Sequence, residues 1–213
     1  MWDHYATDKR ARINLGIRKR LATLMDNDLR KIKLMNAILF SLPGTPLVYY
    51  GDEIGMGDNI WLNDRDGVRT PMQWDDTENG GFSTASTEKL YLPCVETPEF
   101  HYSNLNVAFS EKEPDSLLHW MRMIIQLRKE LKVMGRGTFL FANADHPSIL
   151  SYWREYYTER VLVVINLSGL PQKTKIDLVK PEFGNEMIDL FSNRNTVAAD
   201  GYLTLHVQPY DYL

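Results

Sequence analysis

Two adjacent carboxylates, Asp52 and Glu53, follow an apolar run and are the side chains most suited by type to bond-making chemistry. A pair of carboxyl groups can act as nucleophile and acid/base when both reach one reacting atom from about 5 Å apart. Neighbouring residues of an extended segment point to opposite faces, so these two side chains do not easily share one atom. The sequence therefore predicts structural roles for Asp52 and Glu53 beside a site.

Arg69 is the strongest candidate for a binding residue. Its guanidinium has a fixed fork of donors, which suits paired hydrogen bonds to a carboxylate or to sugar hydroxyls. An ordinary salt bridge within the loop is the alternative. Gln73 and Trp74 are expected at the rim of the same site, with the protein core as the alternative for Trp74. Arg65 and Asp66 are expected to support the loop.

A group of oxygen-bearing side chains in the same loop is of the kind that calcium prefers. Their spacing is not that of a known calcium loop, which favours a solvated loop that caps itself. The five histidines and the lone Cys94 show no zinc spacing. We therefore expect no required metal, and a structural calcium stays open. The oxygen-bearing residues are Asp58, Asn59, Asn63, Asp64 and Asp66.

The elements before this loop predict part of an α/β barrel. A helix is expected over residues 29–42, capped near Asp28 and ended by Pro43 and Gly44. The apolar run 46–50 has the composition of a buried strand, and a long polar loop over 52–82 follows it. Helix, turn, strand and long loop form the repeating unit of a (β/α)8 barrel, whose chemistry lies on loops after the strands.

The second half of the chain predicts a different fold class. Residues 79–109 are expected to be irregular, and a helix is expected after Asp115. Short β-branched and aromatic runs separated by turn residues then indicate an antiparallel β-sandwich. We therefore expect two domains, the C-terminal end of a barrel over 1–133 and a β-sandwich over 134–213. The expected strands are 138–141, 149–154, 161–167, 174–178, 186–190 and 202–207.

Composition excludes several classes of partner. The 213 residues are 44% hydrophobic and carry a formal net charge of -4, which argues against a nucleic-acid or anionic-membrane partner. The basic triplet 18–20 is offset by nearby acids, which predicts a solvated face. No apolar run is long enough to span a bilayer. A single cysteine allows no internal disulfide, which fits a cytoplasmic protein.

Three motifs carry a resemblance to a known family. Residues 43–56, PGTPLVYYGDEIGM, resemble the eighth-strand region of the α-amylase superfamily, glycoside hydrolase family 13. The block RDGVRTPMQW at 65–74, followed by Gly81 and Phe82, resembles its oligo-glucosidase-like branch. The segments 11–18, 57–60 and 90–93 are similar to the trehalose synthases, which interconvert maltose and trehalose.

The resemblance implies a retaining glucosyl transfer without a cofactor. In the family, three acidic catalytic positions lie upstream, the last in an Asn-His-Asp motif, and none of these motifs occurs here. The chain is therefore expected to be a C-terminal fragment that is inactive alone. Arg69 would pair with an upstream aspartate and contact the non-reducing glucose of maltose or trehalose. Assembly into a homo-oligomer stays open.

Two alternatives remain at this point. The chain could belong to an oligo-1,6-glucosidase or α-glucosidase, which would release glucose without forming trehalose. It could also be a non-catalytic carbohydrate-binding or assembly module that works through its β-sandwich. Analysis of the products of the full-length protein distinguishes the first alternative from a trehalose synthase. Measurement of sugar binding by residues 134–213 alone tests the second.

Overall fold

The computed structural model describes residues 2–13, 16–178 and 186–213, so Asn14 and Leu15 of the 11–18 motif lie outside the described residues. The helices are α1 (Trp2–Tyr5), α2 (Leu21–Leu24), α3 (Leu29–Ser41), α4 (Val107–Lys112), α5 (Leu117–Glu130) and α6 (Lys132–Arg136). The strands are β1 (Arg12–Ile13), β2 (Gly16–Ile17), β3 (Thr138–Phe141), β4 (Ile149–Tyr156), β5 (Glu159–Asn166), β6 (Gln172–Asp177), β7 (Glu186–Ile188), β8 (Asn195–Val197) and β9 (Tyr202–Val207). None of the helices in this described part of the chain has the length and apolar composition needed to span a lipid bilayer.

The chain forms two compact units. The first comprises Met1–Lys33 and Leu47–Met123, and the second comprises Leu34–Pro46 and Ile124–Leu213. The division falls inside α3 and α5, so it does not test the expected domain boundary near residue 133, which stays a prediction.

The first unit is mostly irregular chain held by short helices. β1 and β2 form a small antiparallel hairpin. Helix α3 begins as predicted, because the Asp28 carboxylate accepts a hydrogen bond from the backbone N–H of Arg30 at 3.0 Å. Helix α5 is capped by Ser116, not by the expected Asp115, since the Ser116 hydroxyl accepts from the N–H of His119 at 3.3 Å.

The strand expected at 46–50 is absent, and this prediction is wrong. The segment has no strand pairing, and Leu47 is 85% exposed. A barrel strand completes its backbone hydrogen bonds only with parallel neighbours on both sides. The strands in the described residues all pair antiparallel and lie within 12–17 or 138–207, so none of them borders this segment.

The second unit confirms the antiparallel strands expected after residue 134. β3, β4 and β5 form a three-stranded sheet, β6 pairs with β9, and β7 pairs with β8. The register opposes Thr138 to Glu155 and Ile149 to Asn166. β8 is a short strand that sequence patterning missed. A buried cluster lies where these strands meet; it contains Ile149, Val164, Ile176, Leu178, Ala198, Leu203 and Val207.

A buried arginine ties the C-terminal end of α3 to the three-stranded sheet, all within the second unit. Arg154 on β4 is fully buried. Its guanidinium donates to the carbonyl oxygens of Ser41 at 2.5 Å, Gly137 at 3.0 Å and Thr138 at 3.0 Å. Beside it, the hydroxyls of Ser41 and Tyr152 lie 2.5 Å apart. Burial lowers the pKa of Arg154, while each of its three guanidinium nitrogens donates to a carbonyl oxygen.

Candidate active-site loop

The loop expected to carry function begins with a tight turn in the first unit. Gly51 has φ +87°, and a Cβ added there would lie 2.4 Å from the Met56 sulfur, so only glycine fits. The N–H of Met56 donates back to the Gly51 carbonyl at 2.9 Å. Asp52 and Glu53 therefore lie in a turn instead of following a buried strand.

The far side of the loop is closed by a close approach of two backbone segments. The N–H of Asn59 donates to the carbonyl of Gly67 at 2.9 Å. A Cβ on Gly67 would lie 2.2 Å from the Asn59 carbonyl oxygen, so this approach requires glycine. A 3-10 turn, Asp66–Val68, then leads directly into Arg69.

An apolar cluster fixes the loop to the remainder of the first unit. Ile54, Met56 and Met72 are buried against Leu118 at the start of α5, with Val107 of α4 packed beside them. Burial of such side chains contributes about 1.5–3 kcal/mol each. The beginning and the end of the loop thus share one small core.

Arg20 lies outside the loop in sequence and contacts it with a buried guanidinium. It is only 3% exposed, and its guanidinium lies 3.5 Å from the Asp52 carboxylate. Its backbone N–H donates to the Asp58 carboxylate at 2.8 Å, and the Thr23 hydroxyl also donates to Asp58. Burial raises the pKa of Asp52 and the pKa of Asp58, while Arg20 opposes the first shift and the Thr23 hydroxyl opposes the second.

Arg69 lies at the surface with its side chain 47% exposed. One guanidinium nitrogen lies 3.5 Å from the Asp66 carboxylate and 3.9 Å from the Asp64 carboxylate. These are loose, solvent-screened pairs that contribute about 0–1 kcal/mol. The loop salt bridge weighed from the sequence is therefore present, and much of the donor fork is left open to a ligand.

Gln73 and Trp74 differ in exposure. Gln73 is fully buried and donates from its amide nitrogen to the Leu105 carbonyl at 2.5 Å. Its amide oxygen has no hydrogen-bond partner within the described part of the chain. Trp74 is 50% exposed, so the core alternative does not apply to it. The binding role predicted for Gln73 stays a prediction.

Behind Trp74 the backbone makes a left-handed turn. Asn79, Gly80 and Gly81 have φ values of +57°, +65° and +68°. The buried Asn79 amide donates to the carbonyls of Ser83 at 3.1 Å and Ala85 at 2.7 Å. The Gly80 carbonyl in turn accepts from the N–H of Trp74 at 2.7 Å. This turn fixes the backbone that presents the Trp74 ring.

The three aspartates weighed as calcium ligands interact with other residues of the protein. Asp58 binds the donors around Arg20, while Asp64 and Asp66 face Arg69. In the residues that the structure describes, no three His, Cys, Asp or Glu side chains come together as a metal site. Calcium binding by this loop stays a prediction.

A small cavity of about 220 Å³ lies under the loop in the first unit. It is lined by the side chains of Arg65, Asp52 and Tyr49 together with the basic triplet 18–20. The solvated face predicted for that triplet is wrong for Arg20, which is buried. Its partners are backbone carbonyls and acids far along the chain, and residue types alone do not reveal such partners.

Comparison with known families agrees with these motifs. The family model for the α-amylase catalytic domain matches residues 17–137, and the model for the maltogenic amylase C-terminal domain matches residues 139–213. The first match covers more than half of the chain. The chain belongs to the α-amylase family. Its loop Gly51–Phe82 lies within the catalytic-domain match.

Curated members of the α-amylase family share substantial sequence identity with this chain. The trehalose synthase of Pimelobacter sp. (strain R48) is 50% identical over 186 residues, which is 85% of this chain and 32% of that protein. The trehalose synthase of Thermus thermophilus is 42% identical over 213 residues, covering 100% of this chain and 22% of that protein. The oligo-1,6-glucosidase of Halalkalibacterium halodurans is 28% identical over 212 residues, with 84% of this chain and 36% of that protein covered. The chain thus spans 22 to 36% of the length of these relatives.

Solved structures of the α-amylase family share the fold of this chain. The trehalulose synthase from Pseudomonas mesoacidophila MX-45 superposes with a TM-score of 0.69 at 24% identity, over 93% of this chain and 41% of that chain. The isomaltulose synthase from Klebsiella sp. LX3 gives a TM-score of 0.64 at 22% identity, over 99% of this chain and 39% of that chain. A mutant isomaltulose synthase from Erwinia rhapontici NX5 was solved in complex with D-glucose. At these identities the likeness shows the fold alone.

Proposed function

We propose that this chain is the C-terminal part of an enzyme that isomerises maltose to trehalose by intramolecular glucosyl transfer. The observation that carries the proposal is the 50% identity to a trehalose synthase over 186 residues, a stretch that covers 85% of the chain. The open donor fork of Arg69 supports it, because sugar hydroxyls are suitable acceptors for such a fork.

The proposed reaction has two displacement steps at one anomeric carbon. A carboxylate of the barrel attacks this carbon, while a carboxylic acid protonates the oxygen that leaves with the second glucose. The released glucose turns within the site and attacks through its anomeric hydroxyl, whose proton returns to the acid/base carboxylate. Water must stay out, since attack by water gives two glucose molecules.

The residues of this chain would bind and enclose the sugar, and they would not react with it. Arg69 would hydrogen-bond the non-reducing glucose, and Gln73 would bind the sugar at the rim of the same pocket. Asp52, Glu53, Arg65 and Asp66 would shape the loop around them. Since the family's catalytic acids have no counterpart in this sequence, we expect the isolated chain to turn over no maltose.

The test uses the longer polypeptide that joins this chain to the rest of an α-amylase barrel. Incubation with maltose is expected to yield mostly trehalose with a minor amount of glucose. Arg69→Met should raise KM for maltose about tenfold or more, because at least one hydrogen bond from a charged donor is lost. Arg122→Met, on exposed α5 surface, is the matched control and should leave KM unchanged. Normal KM in Arg69→Met would remove the binding role of Arg69.

An oligo-1,6-glucosidase is the second candidate, since one such enzyme is 28% identical over 212 residues. Release of glucose from isomaltose, with no trehalose formed from maltose, would favour it. Tight binding of maltose or glycogen by residues 134–213 alone would instead favour a carbohydrate-binding module. No detectable binding at millimolar sugar would count against the carbohydrate-binding module.

Four finer proposals concern the whole protein. We propose a (β/α)8 barrel followed by a β-sandwich built from β3–β9, supported by the antiparallel pairing of these strands and the match to a C-terminal amylase domain. We propose a cytoplasmic location, supported by the single cysteine. Calcium binding and homo-oligomer formation are to be tested by metal analysis and by measurement of the molar mass in solution.

A further inference from the structure

One arginine holds the tip of the candidate active-site loop. The Arg18 guanidinium donates to the carbonyl oxygens of Leu62 at 2.5 Å, Asp64 at 2.6 Å and Ile60 at 3.2 Å. Its Nε also donates to the Arg10 carbonyl. All three guanidinium nitrogens of Arg18 thus donate to backbone oxygens, and three of the four acceptors belong to five consecutive residues of the loop.

A second arginine, two residues along the chain, holds the base of the same loop. The Arg20 guanidinium donates to the Tyr50 carbonyl at 2.6 Å, directly before the loop, and to the Val68 carbonyl at 2.9 Å, on the far side of the tip. Val68 directly precedes Arg69. The position of Arg69 is therefore set through a backbone carbonyl that Arg20 holds.

The tip of the loop lies outside the apolar cluster that holds Ile54 and Met56. Over residues 50–68 the loop forms only turns and one short 3-10 helix, and Asn63, Asp64 and Arg65 are exposed. The bond between the Asn59 N–H and the Gly67 carbonyl closes it across the middle. Hydrogen bonds from a charged donor are stronger than neutral ones, so the two guanidinium groups contribute strongly to the order of the backbone over residues 60–68.

Trp61 adds a further contact at the loop tip. The Arg10 guanidinium lies 3.4 Å from the centroid of the Trp61 ring, and Arg10 also pairs with Asp8. Since the Arg10 carbonyl accepts from Arg18, one chain of contacts links Trp61, Arg10 and Arg18. The tip is therefore held from its backbone and from its exposed tryptophan.

We propose that Arg18 and Arg20, together called the arginine clamp, are positioning residues that decide whether the glucosyl group is transferred to the retained glucose or to water. The proposal rests on the isomerase function proposed above. In both outcomes the bond between the anomeric carbon and the enzyme carboxylate breaks. The new bond forms to the anomeric oxygen of glucose in one case and to water in the other, and the acid/base carboxylate takes the proton. A loose loop admits water and so favours the second outcome.

The first test measures the clamp without reference to any activity. Amide hydrogen exchange is compared in the wild-type chain, Arg18→Met and Arg18→Lys, with Arg122→Lys as the matched surface control. The amides of Asn59, Asp66 and Arg69 should exchange about tenfold faster or more in both Arg18 variants, because a lysine is a point donor and does not span three carbonyls. Amides of α3 should keep their rates. Unchanged exchange in the loop would overturn the clamp.

The second test measures the products in the longer polypeptide with a complete barrel. The ratio of glucose to trehalose formed from maltose should rise about fivefold or more in Arg18→Met, while total maltose consumption falls less than about threefold. Arg20→Lys serves as the second variant if the first fails to fold. Faster loop exchange with an unchanged product ratio would refute control of water entry. A wild-type enzyme that forms only glucose would instead refute the isomerase function and leave the exchange result intact.

Discussion

Replacement of Arg154 by methionine should destabilise the second unit severely. Methionine keeps much of the apolar stem but removes the donors to three carbonyl oxygens at 2.5, 3.0 and 3.0 Å. An unsatisfied buried acceptor costs about 1–3 kcal/mol, so three of them cost several kcal/mol. Removal of a buried cation recovers part of this, since its desolvation is unfavourable. We expect a net loss of about 2–4 kcal/mol in the free energy of unfolding.

The assay is urea denaturation of the chain followed by far-ultraviolet circular dichroism. With a slope of about 2–3 kcal/mol per molar urea, the expected loss lowers the midpoint by about 1 M. Arg154→Lys should also destabilise, because one ammonium group does not reach all three carbonyls. Arg194→Met, at an exposed position, is the matched control and should change stability by less than about 0.5 kcal/mol. An Arg154→Met midpoint within 0.2 M of wild type (about 0.5 kcal/mol) would refute the argument.

Three further outcomes are expected. Because burial raises the pKa of Asp58, the folded chain keeps the Asp58 proton to higher pH than the unfolded chain does. The stability of the wild-type chain relative to Asp58→Asn should therefore fall as pH rises above about 4 in urea titrations. Asp58→Ala should be less stable than Asp58→Asn by about 1–3 kcal/mol, since it leaves two donors unpaired. Gly67→Ala, whose Cβ would lie 2.2 Å from a backbone oxygen, should cost about 1–3 kcal/mol in thermal unfolding, whereas Gly135→Ala in α6 meets nothing within 4 Å and should be neutral or stabilising. A double-mutant cycle of Tyr152→Phe and Ser41→Ala should give a coupling of about 1 kcal/mol, and strict additivity would contradict the hydroxyl–hydroxyl bond.

Local patterning explains why the strands of the second unit could be predicted. β3 and β9 have the bounds expected from sequence, and β4, β5 and β6 differ by at most two residues at either end. Each is a β-branched or aromatic run between turn residues, and each finds its partner within the same unit. β8 was missed because a three-residue strand of Asn, Thr and Val carries little pattern of its own.

Local patterning gave the wrong prediction at residues 46–50, because a strand also requires a pairing strand from elsewhere in the protein. This run has the composition of a buried strand. Composition gives the preference of a segment for the strand conformation, but it does not show whether another strand is available to pair with it. Without neighbouring strands among the described residues, its apolar side chains stay largely exposed. The long polar loop that follows was predicted correctly, because turn residues act locally.

In the candidate site, the burial of Arg20 could not be predicted from the sequence. Arg69 stands out in sequence because the motif around it is distinctive, whereas Arg20 lies in a basic triplet of a kind that usually covers a solvated face. Burial of Arg20 depends on carbonyls 30 and 48 residues further along the chain. A single sequence does not reveal such contacts.

The left-handed turn at Asn79 and Gly80 has a consequence for the chemical ageing of the protein. An asparagine followed by glycine is the dipeptide most prone to deamidation, in which the glycine nitrogen attacks the asparagine side chain to form a succinimide. Here the Gly80 N–H donates to the Thr77 carbonyl at 2.9 Å, and the Asn79 amide is buried and bonded to two carbonyls. The fold therefore protects Asn79 from deamidation. A preparation that unfolds locally at this turn should accumulate aspartate and isoaspartate at position 79 first.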